Sequence, residues 1–328
     1  MTKTQGLQLV DRDEDGIDRA FRADVLKGLS QDQKAIPARW LYDDAGSQLF
    51  EDITQVPEYY PTRAETQILQ TRGDEFARLV GPGRAVVEFG SGSSVKTPLL
   101  LQAIEPAAYV PLDIAGDFLR ASAATLSEKF PGLPVHPVEA DFNRRVELPE
   151  EVADMPKLGF FSGGTIGNMV ARTAVDLLRT MRETLGRGSQ LLIGMDLVKD
   201  RDVLIAAYDD AAGVTAEFNL NLARRINREL GGTIPVEMLH HEARWDDLYS
   251  RIEMHLVADE DLSFEVSGEE FAMAKGESIH TENSHKFRRR SQNVLLLAGG
   301  WTPVERWLDG DGLYSLVLAE ATEHRDAP

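Results

Sequence analysis

An apolar strand that opens into a glycine turn is the feature that most restricts how this chain can fold. Residues 86–89 (Val-Val-Glu-Phe) suit a buried β-strand, and residues 90–92 (Gly-Ser-Gly) follow at once. Glycine permits the backbone conformations and close approach that such a turn needs, and Ser93-Ser94 can begin the next helix. Val95 stands where a dinucleotide fingerprint has its third glycine, which disfavours a pyrophosphate loop. The alternative is that the glycine turn is purely structural and binds no ligand.

Two more helices and strands are predicted after the turn. The helices cover residues 97–104 and 118–130, and the apolar strands cover residues 108–112 and 135–138. Alternation of this kind predicts a parallel sheet that is covered on both faces.

Acidic residues follow both of these strands. Asp113 ends the second strand, where a carboxylate normally accepts hydrogen bonds from a ribose diol; the alternative is that it only caps a helix that begins near Ala115. Asp141 and Phe142 follow the third strand. S-adenosylmethionine enzymes place methionine at the glycine turn, ribose at the second acid, and adenine at the third acid and its neighbour. The sequence therefore predicts an S-adenosylmethionine site.

The alternation of strands and helices continues and then ends in a β-hairpin. Strands are predicted over residues 158–162 and 190–197, and two last strands, 302–308 and 313–318, flank an Asp-Gly-Asp-Gly turn. This order is typical of class I methyltransferases, an α/β fold with a Rossmann-like, mostly parallel seven-stranded sheet and a terminal antiparallel hairpin.

A second domain is predicted to interrupt this fold. Residues 200–230 have a largely helical pattern, and residues 238–271 alternate as antiparallel strands do. We therefore expect a cofactor-binding domain of residues 63–197 and 288–328. The remaining residues, 1–62 and 198–287, are expected to form an α+β substrate-binding domain.

Composition limits the partners of the chain. Among 328 residues, 54 are acidic and 35 basic, so the formal net charge is −19. Such an excess disfavours nucleic acid and anionic membranes. Cysteine is absent, and no apolar run is long enough to cross a membrane. The pattern predicts a cytoplasmic protein, expected to be a monomer, that binds a small molecule.

Seven separated strings give the chain a specific resemblance. Between residues 36 and 318 it resembles the L-histidine Nα-methyltransferases, which form hercynine for ergothioneine biosynthesis. The strings are PARWLYD (37–43), LFEDIT (49–54), PEYYPTR (57–63), TIGN (165–168), DLVKD (196–200), AYDDAAGVTA (207–216) and TENSHKF (281–287).

The resemblance implies a set of cofactor-binding residues. S-adenosylmethionine would contact Gly90, Lys96, Asp113, Asp141 and Phe142. The chemistry agrees, because the Lys96 ammonium suits the methionine carboxylate and the Phe142 ring suits the adenine face.

The resemblance also implies a set of residues that bind free histidine: Tyr59, Asn168, Tyr208, Glu282, Asn283 through its backbone, and Ser284. Asn168 and Tyr208 can donate hydrogen bonds to the α-carboxylate of the substrate. Glu282 and Ser284 lie two residues apart, so on an extended segment they face the same side and can hold both imidazole nitrogens.

Aromatic residues add to this expected pocket. Tyr59 and Tyr60, which precede Pro61, are predicted to be a packed pair on a loop. Tyr42 is expected to line the amine pocket, because aromatic faces attract the quaternary ammonium of the product.

The implied reaction is three successive transfers of a methyl group to the α-nitrogen of histidine. Alignment is the main requirement, and no catalytic residue is assigned; water or a tyrosine hydroxyl is expected to take the proton. Gly164, where the family commonly has serine, and Asn283, at an often apolar position, depart from the family pattern and can change affinity.

Two alternatives to histidine methylation remain open from the sequence. The methyl acceptor can be another aromatic amino acid such as tryptophan, although an indole would leave part of the Glu282 and Ser284 pair unsatisfied. The protein can also bind S-adenosylmethionine without catalysis. The seven histidines suggest a metal, but pairs such as His240-His241 and His280 with His285 lack the spacing of tetrahedral ligands, so no metal is expected.

Overall fold

The computed structural model describes residues 16–92, 96–114 and 116–321, so Ser93, Ser94 and Ala115, which the sequence placed at helix starts, lie outside it. Its helices are α1 (Arg19–Leu29), α2 (Asp44–Ile53), α3 (Tyr60–Thr71), α4 (Gly73–Val80), α5 (Thr97–Ile104), α6 (Gly116–Lys129), α7 (Ala171–Leu185), α8 (Arg201–Ala206), α9 (Val214–Leu230) and α10 (Arg289–Ala298). Its strands are β1 (Ala85–Phe89), β2 (Ala108–Asp113), β3 (Val138–Glu139), β4 (Lys157–Phe161), β5 (Gln190–Asp196), β6 (Leu239–Asp246), β7 (Arg251–Ala258), β8 (Leu262–Val266), β9 (Glu269–Met273), β10 (Ser278–His285), β11 (Trp301–Leu308) and β12 (Tyr314–Ala321).

The contacts divide the described residues into two compact units. Unit 1 comprises the residues up to Tyr60 together with Lys199–His285, and unit 2 comprises Pro61–Val198 and the residues from Lys286 on. The division predicted from the sequence placed the three boundaries after residues 62, 197 and 287.

Unit 2 is built on a seven-stranded sheet in the order β11-β12-β5-β4-β1-β2-β3. Strands β1 to β5 pair in parallel, whereas β12 runs antiparallel to both β5 and β11. This topology confirms the predicted class I methyltransferase fold with its terminal hairpin.

Apolar residues on both faces explain why the sheet is covered on both sides. Successive residues of a strand point to opposite faces, so Val86 packs into one core cluster and Val87 into the other. A parallel strand with two buried faces therefore has the continuous apolar sequence seen in β1. Trp301 of β11 is fully buried, and its indole N–H donates to the Leu178 carbonyl at 2.8 Å.

Unit 1 contains an antiparallel sheet in the order β10-β7-β6 and a separate hairpin of β8 and β9. The antiparallel strands predicted over residues 238–271 are confirmed as β6 to β9. Strand β10 was not predicted as a regular strand, because only one of its eight residues, Ile279, is apolar. Its polar side chains nevertheless turn inward: Thr281, Glu282 and Ser284 are all buried.

The predicted helical region of residues 200–230 is two helices, α8 and α9, separated by a turn. Gly213 ends this turn at a φ of +75°. The Asp210 carboxylate accepts from the amides of Val214 (3.0 Å) and Thr215 (2.8 Å), which fixes the start of α9.

Helices α1 to α4 were not predicted. The loop predicted around Tyr60 is wrong in part, because α3 begins at Tyr60 and places Pro61 in its first turn, where a missing amide proton costs no helical hydrogen bond. Within the described ranges, no helix has the length and apolarity that a membrane span requires.

Candidate active site

The glycine turn after β1 has the conformation that the sequence predicted. Gly90 has a φ of +71° and Gly92 a φ of +48°, a region that favours glycine. The Gly90 amide donates to the Leu112 carbonyl at 2.9 Å, which ties the turn to the end of β2. A Cβ atom at Gly90 would lie 3.3 Å from Cε1 of Phe142. The turn and the Phe142 ring are therefore in close contact.

The two acids predicted to bind the nucleoside lie at the same end of the sheet as the turn. The Asp113 carboxylate accepts the Gly92 amide proton at 3.0 Å. Asp141 accepts from the Asn143 backbone amide at 3.0 Å and from its side-chain amide at 2.8 Å. These bonds hold both carboxylates in defined positions. The structure thus brings Gly90, Asp113 and Phe142 close together, with Asp141 one residue before Phe142.

Lys96 has a partner that the sequence did not reveal. Its ammonium forms an ion pair with the fully buried carboxylate of Glu65 in α3. Glu65 also accepts from the Gly163 amide at 3.0 Å and from the Tyr314 hydroxyl at 3.2 Å. A lysine ammonium has three donors, so Lys96 can hold a second carboxylate while Glu65 fixes its position.

A buried carboxyl group lies directly beneath the glycine turn. Glu88 of β1 accepts from the Thr97 hydroxyl at 2.8 Å and from the Tyr109 hydroxyl. Burial raises the pKa of Glu88 from 4.5 to about 7, because the charged form loses its hydration.

Unit 1 contains a cluster of five aromatic rings, which we call the ring cluster: Tyr42, Phe50, Tyr59, Tyr208 and Phe218. Neighbouring ring centroids lie 5.4 to 6.3 Å apart, mostly with the edge of one ring against the face of the next. The sequence predicted the three tyrosines and missed the two phenylalanines, whose spacing on α2 and α9 is that of ordinary core residues. Aromatic faces of this kind attract cations.

Local structure explains how Tyr42 reaches this cluster. It directly follows a 3₁₀ helix over Ala38–Leu41 and precedes Asp43, which caps α2 by accepting the Gly46 amide proton at 2.8 Å. Asp43 also accepts from the Asn221 side chain of α9 at 2.7 Å. The chain around Tyr42 is therefore anchored to both α2 and α9.

Two polar pairs lie against the ring cluster. The Tyr42 hydroxyl donates a hydrogen bond to Glu282. The Tyr208 hydroxyl lies 2.7 Å from the Ser284 hydroxyl. Burial, with the nearby Glu282 carboxylate next in importance, raises the pKa of Tyr42 well above 10.0. Tyr42 therefore stays protonated at neutral pH and acts as a hydrogen-bond donor, although 38 % of the residue surface is exposed.

Strand β10 carries three of the predicted residues, and Asn168 lies in unit 2. Glu282 and Ser284 are buried on one face of β10, and Asn283 faces the other side, paired with Glu253 of β7. Asn168 ends a 3₁₀ helix over Thr165–Asn168 in unit 2. The sequence had assigned Tyr208 and Ser284 to opposite ends of the substrate, whereas their hydroxyls are in contact.

One group within the described part of the chain has the donor atoms for a metal ion: Glu253, His255 and His280, with ligand atoms within 4.8 Å of one another. Sequence spacing could not reveal it, because the residues lie on two strands. These donors already have hydrogen-bond partners. His255 contacts Glu253 and Ser278 at 3.0 Å each, and His280 Nε2 donates to the Glu282 carbonyl at 3.0 Å. All three side chains therefore take part in hydrogen bonds.

Two surface grooves of unit 2, of about 820 and 550 Å³, contain none of the predicted site residues. The smaller one lies beside the start of α10, where Arg288, Arg289 and Arg290 are exposed.

Known proteins resemble the chain over almost its whole length. Residues 21–321 match a protein family described as histidine-specific methyltransferase, SAM-dependent. A histidine N-alpha-methyltransferase of Mycolicibacterium smegmatis is 39 % identical over 93 % of this chain and 96 % of that protein. Ergothioneine biosynthesis protein 1 of Neurospora crassa is 29 % identical over 87 % of this chain but only 33 % of its own length. The 4-dimethylallyltryptophan N-methyltransferase of Claviceps purpurea is 24 % identical over 95 % of this chain and 99 % of that protein.

The raised pKa of Glu88 predicts a pH-dependent stability. The folded protein binds a proton at Glu88 between about pH 4.5 and pH 7, where the unfolded chain has released it, so stability present below pH 4.5 is lost as the pH rises to about 7. Between pH 5 and pH 8 this loss is about 2 kcal/mol, and Glu88→Gln is expected to remove most of it. Urea unfolding at pH 5 and at pH 8 measures this difference in the free energy of unfolding.

The matched control for this experiment is Glu128→Gln, which changes an exposed carboxylate of α6 in the same unit. It should keep the pH dependence of the wild-type protein. An equal pH dependence in Glu88→Gln and the wild type would contradict the account of Glu88.

Proposed function

The chain belongs to the family of histidine-specific, S-adenosylmethionine-dependent methyltransferases, and we propose that unit 1 binds free L-histidine while unit 2 binds S-adenosylmethionine. The enzyme methylates the α-nitrogen of histidine. The product is hercynine, and the relative from Neurospora crassa is named for ergothioneine biosynthesis, the pathway in which we place this reaction.

The observation that carries the substrate assignment is the polar pair on β10. Glu282 offers a buried carboxylate and Ser284 a buried hydroxyl on the same face of one strand. A carboxylate accepts an imidazole N–H, and a hydroxyl can donate to the other ring nitrogen or accept from it. The pair therefore matches a ring that has two nitrogen atoms.

The hydrogen bond from Tyr42 also limits which aromatic ring Glu282 and Ser284 can bind. It engages part of the Glu282 carboxylate. An indole has a single N–H and would leave Ser284 without a ring partner, so the pair discriminates against tryptophan. Sites built for specific hydrogen bonds can reject an analogue that lacks them by about 10⁴-fold.

The cofactor assignment rests on the geometry of the β1 turn. We propose that the turn at Gly90 accommodates the methionine part, with its carboxylate on Lys96. Asp113 would accept from the ribose hydroxyls, and Asp141 with Phe142 would hold the adenine. Gly90, Lys96, Asp113 and Asp141 are each fixed in advance by a hydrogen bond or ion pair, which lowers the entropic cost of binding.

The reaction itself requires alignment above all. Each transfer is an SN2 displacement in which the lone pair of the α-nitrogen attacks the methyl carbon and the electrons of the broken C–S bond remain on sulfur. Holding the reacting atoms about 3 Å apart and in line can supply roughly 7–11 kcal/mol of the barrier. The α-ammonium must lose a proton before each attack. Tyr42 is protonated in the resting state, so we propose water as the first acceptor.

The ring cluster gives a reason for successive transfers. Each methyl group makes the α-nitrogen a larger and less hydrated cation, and the faces of Tyr42, Tyr59 and Tyr208 stabilise such a cation by about 0.5–2 kcal/mol each. We further propose that the enzyme acts as a monomer in the cytoplasm and does not bind nucleic acid, consistent with its net charge of −19.

Formation of S-adenosylhomocysteine tests the function directly. With S-adenosylmethionine present, the rate is expected to depend on L-histidine and to stay at the background level with L-phenylalanine, which has no ring nitrogen. A higher rate with L-tryptophan than with L-histidine would favour the alternative acceptor, and no rate with any amino acid would favour a protein that only binds the cofactor.

Replacing Glu282 tests the imidazole assignment. Glu282→Gln keeps the shape of the side chain but removes the charge from the hydrogen bond to the ring, which is worth about 1.5–3 kcal/mol. The KM for L-histidine should rise by roughly 10- to 100-fold, while the KM for S-adenosylmethionine stays within about twofold. The control Glu265→Gln changes an exposed carboxylate on β8 of the same unit. Equal KM values for L-histidine in all three proteins would refute the assignment.

Replacing Gly90 tests the cofactor assignment. In Gly90→Ala the new Cβ presses on Phe142 at 3.3 Å, in addition to the strain of a φ of +71°. The control Gly83→Ala has nearly the same φ, +74°, with no atom within 4 Å of the added Cβ, so it isolates the strain. We expect calorimetry to give an S-adenosylmethionine Kd raised about 5- to 10-fold for Gly90→Ala and nearly unchanged for Gly83→Ala. Equal affinities in both variants would contradict adenine binding at Phe142.

A further inference from the structure

A chain of buried hydrogen bonds lies behind the substrate-binding residues of unit 1. The side-chain nitrogen of Asn219 in α9 contacts His241 Nδ1 at 2.9 Å and the His255 carbonyl at 3.1 Å. The other ring nitrogen of His241, Nε2, lies 2.7 Å from the Tyr208 carbonyl. The chain thus links α9 and β6 to the turn that carries Tyr208.

The two ends of this chain fix its direction. A main-chain carbonyl can only accept, so the His255 carbonyl requires the nitrogen of the Asn219 amide, and not its oxygen, on that side. The second proton of the same amide then points at His241 Nδ1, which must be unprotonated to accept it. The single ring proton of a neutral His241 is therefore on Nε2, where the Tyr208 carbonyl accepts it. No other arrangement of protons satisfies all three bonds.

The oxygen of the Asn219 amide completes the network. It accepts from the Thr281 hydroxyl at 2.6 Å, and Thr281 directly precedes Glu282 on β10. Asn219 is fully buried, Thr281 is 1 % exposed and His241 is 8 % exposed. Burial lowers the pKa of His241, which keeps the ring in the neutral form that the network requires.

The place of Tyr208 in the chain makes its position depend on the hydrogen bond from His241. It is in the turn between α8 and α9, so its carbonyl is outside the hydrogen-bonded core of either helix. The far end of the turn is fixed by Asp210, which accepts from the first amides of α9. At the near end, the bond from His241 sets the position from which the Tyr208 hydroxyl contacts Ser284 at 2.7 Å.

We infer that Asn219 and His241 are positioning residues for substrate binding, which hold Tyr208 and the strand that carries Glu282 in the geometry that recognises the amino acid. The inference rests on the proposed function in one respect, namely that the ligand at Tyr208 and Glu282 is free L-histidine. Neither residue is expected to touch the reacting atoms.

Variants of His241 separate positioning from a purely structural role. His241→Phe keeps the ring volume and removes both nitrogens, and we expect the KM for L-histidine to rise about tenfold while the KM for S-adenosylmethionine stays within about twofold. His241→Gln keeps an N–H donor and an acceptor and should recover part of the loss. The control is His240→Phe, one residue away on the exposed side of β6, where His240 pairs with Asp259; its KM values should match the wild type.

Other outcomes would overturn either the positioning role or the proposed function. A His241→Phe protein with a wild-type KM for L-histidine, or with both KM values raised by the same factor, would overturn the positioning role. A wild-type enzyme with no histidine turnover would instead overturn the proposed function. Nitrogen-15 NMR of histidine-labelled protein, with His241 assigned from the His241→Gln spectrum, tests the network without turnover. The Nε2–H tautomer is expected, and the Nδ1–H tautomer would refute the inference.

Discussion

The alternation of side chains along β10 is the constraint on which the substrate-binding unit depends. Glu282 and Ser284 are buried on one face, against tyrosine hydroxyls, while neighbouring residues of the strand make further hydrogen bonds. His280 donates to the Glu282 carbonyl, and Thr281 donates to Asn219. A slip of one residue in the pairing of β10 with β7 would turn both recognition groups away from the ring cluster.

Burial of Thr281, Ser284 and Asn219 is stable because each has a hydrogen-bond partner. An unpaired buried donor or acceptor costs about 1–3 kcal/mol, so the network behind β10 can adopt few other arrangements. The same principle governs unit 2, where Glu65 is fully buried and is matched by an ammonium, an amide and a hydroxyl. In both units, binding groups are fixed before a ligand arrives, which suits a reaction that is limited by alignment.

The sheet of unit 2 could be predicted from the sequence, whereas strand β10 of unit 1 could not. Residues 86–89 and the strands after them have long apolar runs, and their topology follows from the alternation of strands and helices. Strand β10 has a polar sequence that resembles a surface segment, and its role depends on partners far away in the chain, such as Tyr208 and Asn219. The role of Glu65 was not predicted for the same reason, because the sequence around an isolated glutamate in a helix does not indicate its buried partners.

The product of the reaction tests the central claim most directly. The purified protein would be incubated with S-adenosylmethionine and an equimolar mixture of the common amino acids, and every amino acid would be followed by mass spectrometry. The pair on β10 predicts that histidine alone gains methyl groups and accumulates in the trimethylated form, with S-adenosylhomocysteine as the second product. Methylation of tryptophan or another amino acid in preference to histidine, or no methylated amino acid at all, would contradict the claim.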